Sequence, residues 1–315
     1  MLALVATLAA RQGDYDPLRV PEARITSLTL EVKDTVRERV LPLRIYQPVA
    51  AKPAPVILFS HGLGGSRDAN AYLGNHWAKR GYLAVFVQHP GSDEGLWKNW
   101  PQDERMAAMN RGASVTSFLE RTKDIPAVID ALMLWNDEAG NPMSGRMDLK
   151  HLGMSGHSFG SVTTQALAGQ AGPGGKARFL ESRISAAVMM SPSIPAAGDP
   201  AAAFASIRMP CLLLTGTEDS SAFRNMGAED RLKVFPNLRN APAWQVVFDK
   251  AVHQSFGDRG QEGNRYHAAI LALTTAFWDA ELRGDRRAKA WLNGDGARSV
   301  LKPEDRWSVN ALAKE

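Results

Sequence analysis

The chain has 315 residues, 44% of them hydrophobic and 22% charged, with a formal net charge of +4. That is ordinary globular composition, long enough for one large α/β domain or two small ones, and it excludes collagen-like, repeat and low-complexity architectures. Basic residues are interleaved with acidic ones, as in LRGDRRAKA, and no basic stripe with aromatic residues is present, so nucleic acid is not an expected partner.

In chain order, residues 1–10 are apolar and alanine-rich. They read either as a signal-peptide core without a basic leading region or as an arm packing on the domain, and export and cytoplasmic residence both stay open. RITSLTLEV (24–32) and RVLPLRIYQP (39–48) alternate apolar and polar residues and predict two antiparallel strands at a sheet edge. APVILFSHG (54–62) and YLAVFVQHPG (82–91) are continuous apolar runs, the pattern of strands buried on both faces. Between them SRDANAYLGNHWAKRG has helical spacing, with Asp68 near its start and Gly81 as its stop. A long connection, 91–121, carries Trp97 and Trp100. RTKDIPAVIDALMLWNDE (121–138) predicts an amphipathic helix with Pro126 in its first turn. HLGMSG is a strand, followed by a helix over SVTTQALAGQAG that stops at Gly172. ISAAVMMSP (184–192), PCLLLTGTED (210–219) and WQVVFDKAVH (244–253) read as strands, and RYHAAILALTTAFWDAELRG (265–284) as a long helix. The lone cysteine, Cys211, sits in an apolar run and excludes an intramolecular disulfide. No run reaches the ~18 apolar residues of a membrane span.

Two leading antiparallel strands followed by alternating strands and helices predict an α/β fold, mostly parallel, with helices on both faces. In such a sheet the site lies at the carboxyl ends of the strands. SHGLGG, QHPGSD, GHSFG, SPSIP, TGTEDSS and AVHQSF all fall there.

GHSFG (156–160) places Ser158 between two glycines where a strand gives way to a helix. Such an elbow lifts the hydroxyl out of the sheet, and side chains at the two flanking positions would clash. A serine hydroxyl needs a base. Of the seven histidines, His253 follows the last predicted parallel strand and is the expected base. His151 opens its strand at the far end, His76 and His267 lie inside helices, and His157 packs in the elbow. His89 ends a strand at the active edge and is expected to line the substrate pocket. The base needs a carboxylate to fix its tautomer; Asp219 in GTEDSS is the better placed, with Glu218 as the alternative. Oxyanion donors are expected from the N–H of Phe159 and of Leu63 in HGLGG. Trp97 and Trp100 are expected to form an aromatic wall of the pocket.

The order Ser158, Asp219, His253, with SHGLGG, RTKDIPAVIDAL, GHSFG, LLLTGTEDSS, AVHQSF and FWDAELRGDRRAKAWL, resembles the α/β-hydrolase superfamily. Within it the chain resembles the branch of dienelactone hydrolases, bacterial platelet-activating-factor acetylhydrolase-like proteins and cutinase-like polyester hydrolases. Dienelactone hydrolases proper carry cysteine where Ser158 stands. Plasma-type acetylhydrolases take their acid after the preceding strand, where this chain reads SPSIP. The resemblance implies an α/β-hydrolase domain over 24–295, an arm or signal-peptide remnant over 1–23 and a C-terminal tail over 296–315. The segment between the MMSP and PCLLL strands is too short for a large cap domain, so an open cleft is expected. The function implied is a serine carboxylic-ester hydrolase acting through an acyl-enzyme on short-chain, aryl or polymeric esters. It is expected to be a monomer that needs no cofactor or metal. The alternatives are a serine peptidase or amidase on the same fold, or a catalytically silent binding module.

Overall fold

The computed structural model describes residues 15–314 apart from residues 23, 50–51, 222–225 and 259–262. The apolar stretch at 1–14, on which the reading of an arm or signal peptide rests, lies outside the described residues.

The two alternating segments form an antiparallel hairpin, β1 (Ile25–Asp34) and β2 (Arg39–Pro48), paired from Ile25 with Pro48 to Asp34 with Arg39. The apolar runs become β3 (Ala54–Ser60), β4 (Leu83–Val87), β5 (Met147–His157), β6 (Ile184–Met190), β7 (Cys211–Glu218) and β8 (Ala243–Val252). A ninth strand, β9 (Arg306–Val309), completes the sheet. The order is β1-β2-β4-β3-β5-β6-β7-β8-β9, parallel from β4 through β8 and antiparallel at both ends. This is an α/β-hydrolase fold.

Alternate residues explain why the inner strands read as continuous apolar runs. Ile57 and Phe59 of β3 face one core with Leu73 and Trp77 of α1 (Ala71–Lys79). Val56 and Leu58 face the other with Ile125, Val128, Ile129 and Leu132 of α3 (Val115–Asp137). Burying each such side chain stabilises the fold by about 1.5–3 kcal/mol. A two-sided sheet therefore forces apolar residues at every strand position.

Several elements differ from the sequence reading. The first helix starts at Ala71, after Asn70 in the left-handed region (φ 60°), and Asp68 instead pairs with Arg44 of β2 at 2.7 Å. Before α3, the 91–121 connection contains a helical turn at Glu94–Leu96 and α2 (Arg105–Gly112). α3 begins at Val115, where Ser114 caps it by accepting from the Ser117 N–H, so Pro126 lies in its interior. Proline there removes one helical hydrogen bond, about 3 kcal/mol; the cap and the buried face of α3 offset that loss. α4 (Phe159–Leu167) ends before Gly169 (φ 104°) rather than at Gly172. Between β6 and β7 stands only the five-residue α5 (Pro200–Phe204). Later come α6 (Ala228–Leu232) and the long α7 (Gly263–Arg283). After α8 (Arg286–Asn293) and the start of α9 (Asp295–Ser299), the segment expected as a tail, 296–315, contains β9 and α10 (Ala311–Lys314), and its strand is part of the sheet.

Asp279 of α7 ties that helix to the rest of the chain. Its buried carboxylate accepts from Tyr82 Oη at 2.7 Å, Tyr15 Oη at 2.8 Å and Arg80 Nη2 at 2.8 Å. Asp279→Ala should strip these partners of their acceptor and cost about 3 kcal/mol, read as a lowered midpoint in chemical denaturation with unchanged slope.

Candidate active site

Ser158 sits at the turn between β5 and α4 with φ 57° and ψ −115°. A non-glycine residue in that region stores on the order of 1–3 kcal/mol of strain. The neighbouring glycines make the turn possible. A Cβ on Gly160 would collide with the carbonyl oxygen of Ser60 at the end of β3, and one on Gly156 would strike the backbone of Gly160. The start of α4 thus packs directly on backbone.

The structure brings together three of the sequence-predicted residues. Ser158 Oγ donates to His253 Nε2 at 2.8 Å. His253 Nδ1 donates to Asp219 Oδ1 at 2.7 Å; because an ionised carboxylate only accepts, the proton belongs on Nδ1 and leaves Nε2 free to accept. Asp219 is fully buried just past β7, whereas Glu218 is exposed, which separates the two candidate acids. His253 opens the 3-10 turn after β8, so side chains from the ends of β5, β7 and β8 converge at one edge of the sheet.

Sequence reasoning missed what holds Asp219. Thr215 Oγ1 donates to Asp219 Oδ2 at 2.9 Å, and the buried Arg231 of α6 places Nε 2.9 Å from Oδ1. Arg231 also donates to the carbonyl oxygens of Asp219, Ser191 and Pro192 at 2.6, 2.8 and 3.1 Å. Burial pushes the Asp219 carboxyl up, but the His253 hydrogen bond and the Arg231 charge outweigh it and hold the group below its ordinary value. Asp219 is therefore ionised at neutral pH.

The elbow's own histidine, His157, lies beside His253. Its Nε2 donates to the His253 carbonyl at 3.1 Å and its ring centroid lies 4.8 Å from that of His253. Burial, with the neighbouring His253, lowers its pKa to about 3, so it stays neutral.

Leu63 and Phe159 both line a cavity of about 60 Å³ at Ser158, whose wall also includes Val162 and Arg231. Phe159 opens α4, so its N–H is among those a helix cannot bond internally. An added Cβ on Gly62 would lie 3.4 Å from Ser158 Cβ, so the 61–65 loop runs alongside the serine. On the His253 side an opening of about 520 Å³ extends past Trp97 and Gln254. Trp97 donates from Nε1 to the Gly64 carbonyl at 2.7 Å and so covers the loop.

Two pocket expectations are corrected. His89 does not line the cleft; it is fully buried, its Nδ1 donating to Asp124 Oδ2 at 2.9 Å and its Nε2 accepting from Ser60 Oγ at 2.9 Å. It lies two residues past the end of β4, at the expected edge, but Asp124 of α3 captures the ring. Trp100 is 42% exposed and carries Arg111 over its ring at 4.9 Å, outside both openings. Of the aromatic pair only Trp97 borders the site.

Residues 25–95 match the family described as platelet-activating factor acetylhydrolase, isoform II. The match spans the β1–β2 hairpin, β3, the 61–65 loop and β4, and stops short of Ser158. No curated protein matches the chain. The match and the fold fit the resemblance to this branch of α/β-hydrolases and support a hydrolase of esters in general. Among the described residues no helix is long and apolar enough to cross a membrane.

His61 and His89 are fully buried and His157 is half-buried, and all three are uncharged. Burial drives His61 well below 6.5, His89 to about 4 and His157 to about 3. In the unfolded chain each protonates near the usual 6.5, so below that pH the unfolded state binds more protons and stability falls. Denaturation midpoints should therefore drop steeply from pH 6.5 towards pH 4, with a slope to which each of these rings contributes up to one proton. His89→Gln should lower that slope by up to one proton, measured by urea titrations across the range.

Proposed function

We propose that this chain is a serine carboxylic-ester hydrolase working through an acyl-enzyme. The observation that carries the reading is the unbroken hydrogen-bond line from the strained Ser158 through His253 to the buried, ionised Asp219. His253 Nε2 takes the Ser158 proton as Oγ attacks the ester carbonyl. Asp219 fixes the tautomer and stabilises the imidazolium that forms. The Phe159 and Leu63 N–H groups receive the developing oxyanion. His253 then protonates the leaving alcohol, and water repeats the two steps on the acyl-enzyme.

The leaving group departs into the larger opening beside Trp97 and Gln254, and the acyl group occupies the narrow cavity beside Val162. The narrowness of that cavity favours short acyl chains, while the opening suits aryl or polymeric alcohol portions. Cover over the site comes from the 91–114 segment.

Initial rates on p-nitrophenyl esters from acetyl to long acyl chains, with Ser158→Ala in parallel, test the reading. Rates should peak on short chains and vanish in the variant; activity that survives Ser158→Ala sinks the proposal. Asp219→Asn should lower kcat by about 10⁴-fold through the wrong tautomer, whereas Glu218→Gln should stay close to wild type. The reverse pattern would transfer the acid role to Glu218. Trp97→Ala should change kcat/KM on aryl esters more than Trp100→Ala, in the same assay.

A further inference from the structure

The RTKDIPAVIDAL segment has no part in the reading above, yet its first residue sits directly behind the site. Arg121 of α3 is fully buried. Its Nη1 donates to the His61 carbonyl at 2.6 Å and its Nη2 to the Gly62 carbonyl at 3.4 Å, the two peptide groups that lead into Leu63. Its Nε donates to Ser92 Oγ at 2.8 Å and its Nη2 to the Ser92 carbonyl at 3.3 Å. The same guanidinium lies over the Phe159 ring, with Cζ 4.4 Å from the centroid. One side chain therefore touches both segments whose N–H groups face the ester oxygen in the proposed reaction.

The charge of Arg121 is the second observation. Its hydrogen-bond partners Ser92, His61, Gly62 and Ser60 are all uncharged. Asp124, one turn further along α3, pairs instead with Arg37, Arg39 and His89. Asp124 and Asp93 act on Arg121 only through space, and a buried cation without a carboxylate in direct contact is costly. That cost is recovered where negative charge develops nearby, because a fixed positive group in a dry site stabilises an oxyanion without reorganising. The network behind it is fixed as well. Ser60 Oγ accepts from Arg121 Nη1 at 3.4 Å and donates to His89, which Asp124 orients.

Resting on the reading of Ser158 as nucleophile with Leu63 and Phe159 as oxyanion donors, we infer that Arg121 is a positioning residue for the oxyanion hole. It clamps the 61–62 peptides and the Phe159 ring in one geometry and sets a fixed positive charge behind the two donors. It does not touch the substrate. Its loss should lower the rate of the chemical step and leave ground-state binding nearly unchanged.

The test compares wild type, Ser158→Ala, Arg121→Met and Ser92→Ala. A fluorophosphonate probe counts reactive sites in each, so that kcat on p-nitrophenyl acetate is expressed per folded site. The second-order rate of phosphonylation is measured separately. In Arg121→Met both rates should fall about 10²-fold, with KM within about threefold of wild type. Ser92→Ala frees only the Nε contact and should shift both rates in the same direction by a smaller factor. A soluble Arg121→Met protein with kcat per site within about twofold of wild type overturns the inference. If Arg121→Met does not fold, Ser92→Ala decides it by the same criterion. Wild type that labels at Ser158 but hydrolyses no ester sinks the esterase reading alone, and the labelling rates still judge Arg121. Wild type that neither hydrolyses nor labels sinks both.

Discussion

The site depends first on how closely the start of α4 approaches the carbonyl end of β3. Gly160 rests against the Ser60 carbonyl with no room for a side chain, and Gly156 is packed against Gly160. That contact sets the sharp turn at Ser158 and brings the 61–65 loop alongside it. The strain at Ser158 persists because both sides of the turn are anchored: β5 pairs with β3 and β6, and α4 buries Thr163, Thr164 and Leu167. Every other member of the site is placed relative to this junction. His253 arrives from the end of β8, and Asp219 from the end of β7 with Arg231 holding it in place.

Much of this was legible in the sequence, for physical reasons. A sheet covered on both faces demands apolar residues at every position of its inner strands, so β3, β4, β6, β7 and β8 read directly. The two glycines around Ser158 and the aspartate and histidine after later strands are local signals with fixed chain order. The ambiguity between Glu218 and Asp219 depends on which side chain turns inward, and burial separates them: Asp219 is covered and Glu218 is in solvent. Pro126 drew the predicted start of α3 too far along the chain, because the cap at Ser114 lies in a stretch of mixed polarity that carries no periodicity. β9 has only four residues, too few to show alternation. Arg231 and Arg121 sit among other charged residues and look like solvated surface. Only the fold turns them inward.

The chain contains two arrays of the same composition. Ser158, His253 and Asp219 are linked at 2.8 and 2.7 Å, and Ser60, His89 and Asp124 at 2.9 and 2.9 Å, with the same ring nitrogens used in the same order. Residue types and distances therefore do not distinguish chemistry from architecture. The first serine stands at a strained turn on a cavity. The second lies fully buried at the end of β3, with Arg121 at its hydroxyl. Access to a cavity is what separates the two arrays.

The short ninth strand has a consequence for the solubility of the whole molecule. β8 is a ten-residue strand, buried over most of its length. Left at the border of the sheet, it would offer a row of unpaired amides and carbonyls to any neighbouring chain. Val309 to Arg306 cover that row from Trp244 to Val247, and α10 follows directly. The opposite border is guarded differently: β1 presents Thr26, Ser27, Glu31 and Lys33 to solvent, and such polar and charged side chains discourage the addition of a further strand. The last residues of the chain thus act against edge-to-edge aggregation, a role unrelated to the cleft where Ser158 stands.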